Sequence, residues 1–304
     1  MVNAAVYSSE YVVALFDVLG FSNRLKRDGL REIASQYSKL VALADEHNAR
    51  VDDVFGTIGF KESAYWAAEG EIAIFQKVGC AYASDSLLVW AHAAFPEARN
   101  KTVAERAELA RDRKLGWQYL PVPCDSFLAL CNEFICHGIE IGLPLRGAIG
   151  MGDCILDKPS GIYLGLPLVE NAELEKAQEW IGASFCKSFL KQTIPERFKR
   201  ESSEHLKINA LGNQHFGGVA LDWPLHWRRT RATSETSEIE RLANGAGSAA
   251  KYYENTLRFI DASHVSPHRQ EFEGIRSVYR QFSYPEVACS AGAVRKATVK
   301  NTRL

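Results

Sequence analysis

From Tyr11 the chain runs through apolar residues to Phe16, sets down one carboxylate at Asp17, and turns through Val18-Leu19-Gly20-Phe21 to Ser22. This predicts a buried strand, an exit carboxylate, a tight turn and a helix starting near Ser22. Leu30, Ile33, Ala34, Tyr37, Leu40, Val41 and Ala44 then recur at helical spacing and predict an amphipathic helix over 29–49. Residues 52–70 read as loop with short pieces. Between Ile72 and His92 two apolar runs flank Ser84-Asp85-Ser86, a hairpin with Asp85 at its tip.

Residues 95–122 read as an exposed, helix-containing insertion. Apolar positions from Phe127 to Ile139 predict a helix capped at Asp125 or Ser126 and closed by Leu143-Pro144. Arg146–Met151 reads as a central strand, and Gly147, Gly150 and Gly152 suggest close backbone approach. A short strand over 161–165 leads into a helix with Pro167 in its first turn. Ala183–Phe185 reads as another strand, followed by a short helix to Leu190. Gly217–Trp227 alternates as a late strand, with Pro224 near a sheet edge. Helical spacing returns over 234–263 and again over 268–282. The order predicts an α/β (α+β) fold, a mixed sheet covered by helices on one face. The boundaries expected are 1–230 for the main domain and 231–304 for a helical C-terminal extension.

Composition changes this picture little. A net charge of −1 over 304 residues argues against a nucleic-acid-binding surface. Seven scattered Cys without a CxxC pair read as reduced core residues of a cytoplasmic protein. No apolar run is long enough to span a membrane, and the first residues lack the pattern of a secretory leader. The eight His show no metal spacing.

The chemistry is concentrated in two carboxylates. Asp17 ends the first strand and Asp85 tips a neighbouring hairpin, so a sheet that pairs them brings both to one edge. Such a pair can hold two divalent ions about 4 Å apart. An all-oxygen site suits Mn²⁺ or Mg²⁺. The turn after Asp17 offers amides at a helix N-terminus, a natural phosphate cradle. Either Asp could equally serve its own turn by local hydrogen bonds.

These residues resemble the class III nucleotidyl cyclases. FDVLGFS is similar to the family's first metal motif and CAYASDSLLVW to its second. LPLRGAIGMGDC resembles the Gly-rich central strand, and GIYLGLPLVENAELEKA the Tyr-x-Gly strand with its helix ending in Leu-Glu. The four segments occur in the family's order over about residues 8–190. The departures lie in the base and ribose positions. Val169 and Glu173 stand where adenylate and guanylate cyclases carry Asn and Arg, Ala81 stands for the base-reading Lys, and Ile162 for its partner Asp.

That pattern resembles the Pycsar pyrimidine cyclases of bacterial antiphage defence. The resemblance implies conversion of UTP or CTP, with UTP favoured, to the 3′,5′-cyclic nucleotide and pyrophosphate. It implies a homodimer with sites across the interface and a separate effector that binds the product. Asp17 and Asp85 would ligate two metal ions with the Val18 carbonyl, and the amides of Leu19, Gly20, Phe21 and Ser22 would hold phosphates. Tyr82 is a candidate for the pyrimidine, Asn171 for the ribose, and Arg146 for charge at the phosphates. Each has a plainer reading: hairpin aromatic, exposed helix residue and strand ion-pair partner. The alternatives in function are a purine cyclase with an atypical pocket, a nucleotide-binding sensor without turnover, and a structural interaction protein.

Overall fold

The computed structural model describes residues 8–55, 63–68, 71–94, 98–99, 101–111, 124–191, 202–204, 216–244 and 247–264. In chain order the elements are β1 (Ser9–Val18), α1 (Phe21–Asp28), α2 (Leu30–Phe55), β2 (Ser63–Ala68), β3 (Glu71–Gln76), β4 (Gly79–Ala83) and β5 (Ser86–His92). Next come α3 (Val103–Leu109), α4 (Asp125–Glu140), β6 (Leu145–Asp157), β7 (Ile162–Gly165), α5 (Leu166–Ala177), β8 (Gly182–Cys186) and α6 (Lys187–Lys191). The last are β9 (Ser202–Glu204), β10 (Phe216–Leu221), α7 (Trp223–Thr230), α8 (Glu235–Ala243), a 3₁₀ turn (Gly247–Ala249) and α9 (Ala250–His264).

The main sheet runs β4-β5-β1-β6-β8-β10-β9, with β7 added to β6, while β2 and β3 pair separately. It is mixed: β1 is antiparallel to both neighbours, and β6 runs parallel to β8. β1 is therefore an inner strand, which is why its sequence is apolar on both faces. Val12, Ala14, Phe16 and Val18 face the main core, together with Leu87, Val89 and Ile149. Phe127, Leu130, Phe134 and Ile139 of α4 fill that core and are fully buried. Each such side chain contributes roughly 1.5–3 kcal/mol.

The opposite face is also covered. Val13, Leu88, Trp90 and Cys154 cluster there with Leu168 of α5 packed on them, and Ala148 packs with Leu174. Gly150 permits this, because a Cβ at that position would meet Asn171 Oδ1 at 2.8 Å and Pro167 at 3.3 Å. Helices thus lie on both faces, where the alternation predicted one. The sequence pattern along α5 is weak because two of its buried positions, Asn171 and Glu175, are polar, while apolar Leu166 and Val169 are exposed.

Other departures have local causes. α2 continues to Phe55, past the expected end at 49, and β2 follows where loop was expected. β3 does not join the hairpin; only β4 and β5 flank the Ser84-Asp85 turn. The stretch after β10 is a helix, not strand: Asp222 caps it by accepting the Leu225 amide at 3.2 Å, and Pro224 sits in its first turn. Residues 112–123 of the expected insertion, the expected helix over 268–282 and Cys289 lie outside the described residues. The six described Cys are buried and reduced, and no helix among the described residues is long and apolar enough to cross a membrane.

The expected boundary at 230/231 falls between α7 and α8. Beyond it, Ile239, Tyr253, Phe259 and Ile260 share the main core. Thr256 Oγ1 accepts the Ile181 amide at 2.9 Å, and Asn255 donates to the Glu179 carbonyl at 3.0 Å. Arg231, just after α7, clamps α4 by pairing with Glu133 and, at 3.2 Å, with Glu140.

Candidate functional site

β1 pairs with β5 so that Asp17 stands opposite Ser86, one residue beyond the Asp85 turn. Ser84 takes a left-handed φ of 57°, which closes β4 and β5 with two residues. The Val18 amide then donates to the Asp85 carbonyl at 2.9 Å and ties the turn to the end of β1. The Asp17 and Asp85 side chains come close enough to hydrogen-bond when one is protonated. Burial pushes the Asp17 carboxyl above its ordinary value; Arg146 opposes this by charge and hydrogen bond, and Asp85 adds to it.

On its other side β1 pairs with β6, and Arg146 stands opposite Asp17. Arg146 Nε donates to Asp17 Oδ2 at 3.1 Å and lies 2.6 Å from Glu175 Oε1. The second contact is a charge contact without hydrogen-bond alignment, since Oε1 has no hydrogen-bond donor. Arg146 Nη1 also donates to the Tyr252 hydroxyl at 3.4 Å, with its guanidinium 5.7 Å from that ring. The side chain is thus an ion-pair partner held from β1, α5 and α9, lying directly against the candidate metal carboxylate.

Glu175, the acid of the Leu-Glu motif, carries no expected role in the site, yet it lies against Arg146. Burial pushes its carboxyl up to about 7; Arg146 pulls it down and Asp17 pushes it further up. The sequence signal available was the acidic residue after buried Leu174, which places Glu175 beside the inward face of α5. Tyr37 was read only as a helix-face residue. It packs edge-on to Phe21 at 5.9 Å and tilted against Tyr82 at 6.5 Å.

The turn after β1 supplies fewer amides than expected. The Leu19 amide donates to the Pro144 carbonyl at 2.9 Å, so it has no hydrogen left for a phosphate. Gly20 takes φ 73° and starts α1 without a side-chain cap. The amides of Gly20, Phe21 and Ser22 have no hydrogen-bond acceptor among the described residues, as the first turn of a helix leaves them. Gly20 and Ser22 are exposed.

Tyr82 lies near this edge, on strand β4, and is 57% exposed. Asn171 does not reach it. Its side chain is fully buried, donates to the Val13 carbonyl at 3.0 Å and accepts from the Cys186 thiol at 3.2 Å. The helix face was misjudged: Asn171 fastens α5 to the sheet, while Val169 and Glu173 are the exposed positions.

Two carboxylates and a nearby carbonyl form an all-oxygen donor set that suits Mg²⁺ or Mn²⁺. Arg146 acts as a stand-in cation on Asp17. No group of three or more His, Cys, Asp or Glu forms a ready-made metal cage among the described residues. Further oxygen ligands would have to come from a bound group.

No family model matches the chain, and no curated protein does. Among solved structures it is similar to a bacterial light-regulated adenylyl cyclase, at a TM-score of 0.30 and 13% identity over 61% of this chain and 79% of that one. A likeness that slight assigns no activity.

Proposed function

We propose that the chain is a nucleotidyl cyclase acting on a pyrimidine nucleoside triphosphate, UTP or CTP. The observation that supports it is the meeting of Asp17 and Asp85 beside the open amide end of α1. Asp17, Asp85 and the Val18 carbonyl would hold two divalent cations. When bound, these would ease ionisation of the attacking hydroxyl and neutralise triphosphate charge. The ribose 3′-oxygen attacks the α-phosphorus, the bond to the β-phosphate oxygen breaks, and the 3′-hydroxyl proton passes to solvent as pyrophosphate leaves. The amides of Gly20, Phe21 and Ser22 donate to the β- and γ-phosphates. Charge stabilisation of this kind carries most of phosphoryl transfer.

The pyrimidine preference rests on the four segments and their departures, above all Ala81 and Ile162 in place of the purine-reading pair. Tyr82, exposed beside the site, offers its ring to a base. The homodimer, the product-binding effector and a role in antiviral signalling rest on the same resemblance. The test is incubation with each of the four nucleoside triphosphates and Mn²⁺, with products resolved by mass. Cyclic UMP or cyclic CMP is expected, and both are lost in Asp85→Asn. Cyclic AMP or cyclic GMP alone would move the reading to a purine cyclase.

A second reading, nucleotide binding without turnover, is favoured by one observation. Val169, 53% exposed, and exposed Glu173 occupy the positions where the resembled purine cyclases carry Asn and Arg, and buried Asn171 cannot replace them. Tight binding of metal and nucleotide with no pyrophosphate release would support it.

A further inference from the structure

Tyr37 projects from α2 and is 8% exposed. Its ring is held by Phe21 and Tyr82, contacts a phenylalanine would make equally well. The hydroxyl is buried and has no hydrogen-bond partner among the described residues. Interiors leave few polar atoms in that condition. Phe21, just past the Asp17 turn, and Tyr82, on the strand that leads into the Asp85 turn, hold the ring at the carboxylate edge. Asp85, then Asp17, lie within electrostatic reach, and burial with these two carboxylates keeps the phenol protonated. A neutral phenol beside two carboxylates is a donor beside acceptors. Yet Asp17 is engaged by Arg146, and Asp85 sits half-buried at the hairpin turn.

The geometry points to Tyr37 as a positioning residue for the cation site, its hydroxyl donating to the Asp85 carboxylate once that group turns to hold a cation. Carboxylates that ligate metals take hydrogen bonds from outer donors, and those donors fix their orientation. The unpartnered hydroxyl is such a donor, already buried and oriented by two rings. This inference rests on the two-cation reading above.

The test is Mn²⁺ binding, followed by the electron paramagnetic resonance signal of the free ion, for the full chain, Asp85→Asn and Tyr37→Phe. Mn²⁺ is added alone and with a UTP analogue carrying carbon between the α- and β-phosphates. Tyr37→Phe should weaken Mn²⁺ binding about ten-fold or more. Its metal-free thermal midpoint should equal or exceed that of the parent, because a buried unpartnered oxygen has gone. Unchanged Mn²⁺ affinity in Tyr37→Phe, with Asp85→Asn impaired, overturns the role of the hydroxyl alone. A metal-free midpoint that falls in step with the affinity also overturns it, since loosened packing would then be the cause. No Mn²⁺ uptake by the parent chain, with or without the analogue, overturns the two-cation reading and this inference with it.

Discussion

Arg146 stands directly across the β1–β6 pair from Asp17 and gives its Nε hydrogen to Oδ2 at 3.1 Å. The same guanidinium lies against Glu175. One partly buried cation therefore offsets two carboxylates, with Asp85 contributing a third negative charge nearby. Arg146→Ala leaves these acids uncompensated and should destabilise the metal-free protein by about 3–5 kcal/mol, read from urea unfolding. Arg146→Lys should recover only part of this, because a point charge cannot reach Asp17, Glu175 and Tyr252 at once. A wild-type midpoint in Arg146→Ala would remove the pairing from the account of stability.

Glu175 makes stability depend on pH. Its carboxyl is raised from 4.5 to about 7, chiefly by burial. A raised carboxyl favours the folded state while it is protonated. This contribution is fully present below about pH 4.5 and is lost as pH rises through about 7. Metal-free Glu175→Gln should show a flatter thermal midpoint across that window than the parent. Identical profiles for the two proteins would show that Glu175 ionises in the fold as it does in the unfolded chain.

The parts of this site that are local in sequence were legible, and the parts made by packing were not. Asp17 and Asp85 could be read because strand ends and hairpin tips are local features, and β1 pairing with β5 then brings them together. The loss of the Leu19 amide could not, because its acceptor, Pro144, comes from the segment before β6. Glu175 required knowing which face of α5 meets the sheet, and Tyr37, already on the apolar stripe of α2, required knowing that Phe21 and Tyr82 pack against it. Pro224 was read as the edge of a strand because GGVALDW alternates; the Asp222 cap that makes it a helix start was in the sequence and was outweighed by that alternation.

Asn171 carries that lesson into a measurement. A fully buried amide bonded to the Val13 carbonyl is a structural fastening. Asn171→Ala should cost roughly 1–3 kcal/mol of stability, since it leaves a buried acceptor without its donor. At temperatures well below both unfolding midpoints, its KM for nucleotide should match the parent. A raised KM with unchanged stability would return Asn171 to the ribose.

The clamp between α4 and the end of α7 gives the fold a stabilising contribution that is sensitive to acid. Burial alone would raise the Glu133 carboxyl, but hydrogen bonds to His226 and Arg231 outweigh it and bring the group from 4.5 down to about 2. A lowered carboxyl stabilises the fold while it is ionised. The contribution is fully present above about pH 4.5 and is lost as pH falls toward 2. Arg231 is itself largely buried, stacks 5.6 Å from the Trp227 ring and also reaches Glu140. Removing its main partner therefore strands a buried cation. Glu133→Gln should lower stability at pH 7 by about 3 kcal/mol or more. The same substitution should have a progressively smaller effect as unfolding is measured from pH 4.5 downward, because protonation neutralises the parent's carboxyl there. An equal loss at every pH would assign the effect to packing of the glutamine and not to the charge pair.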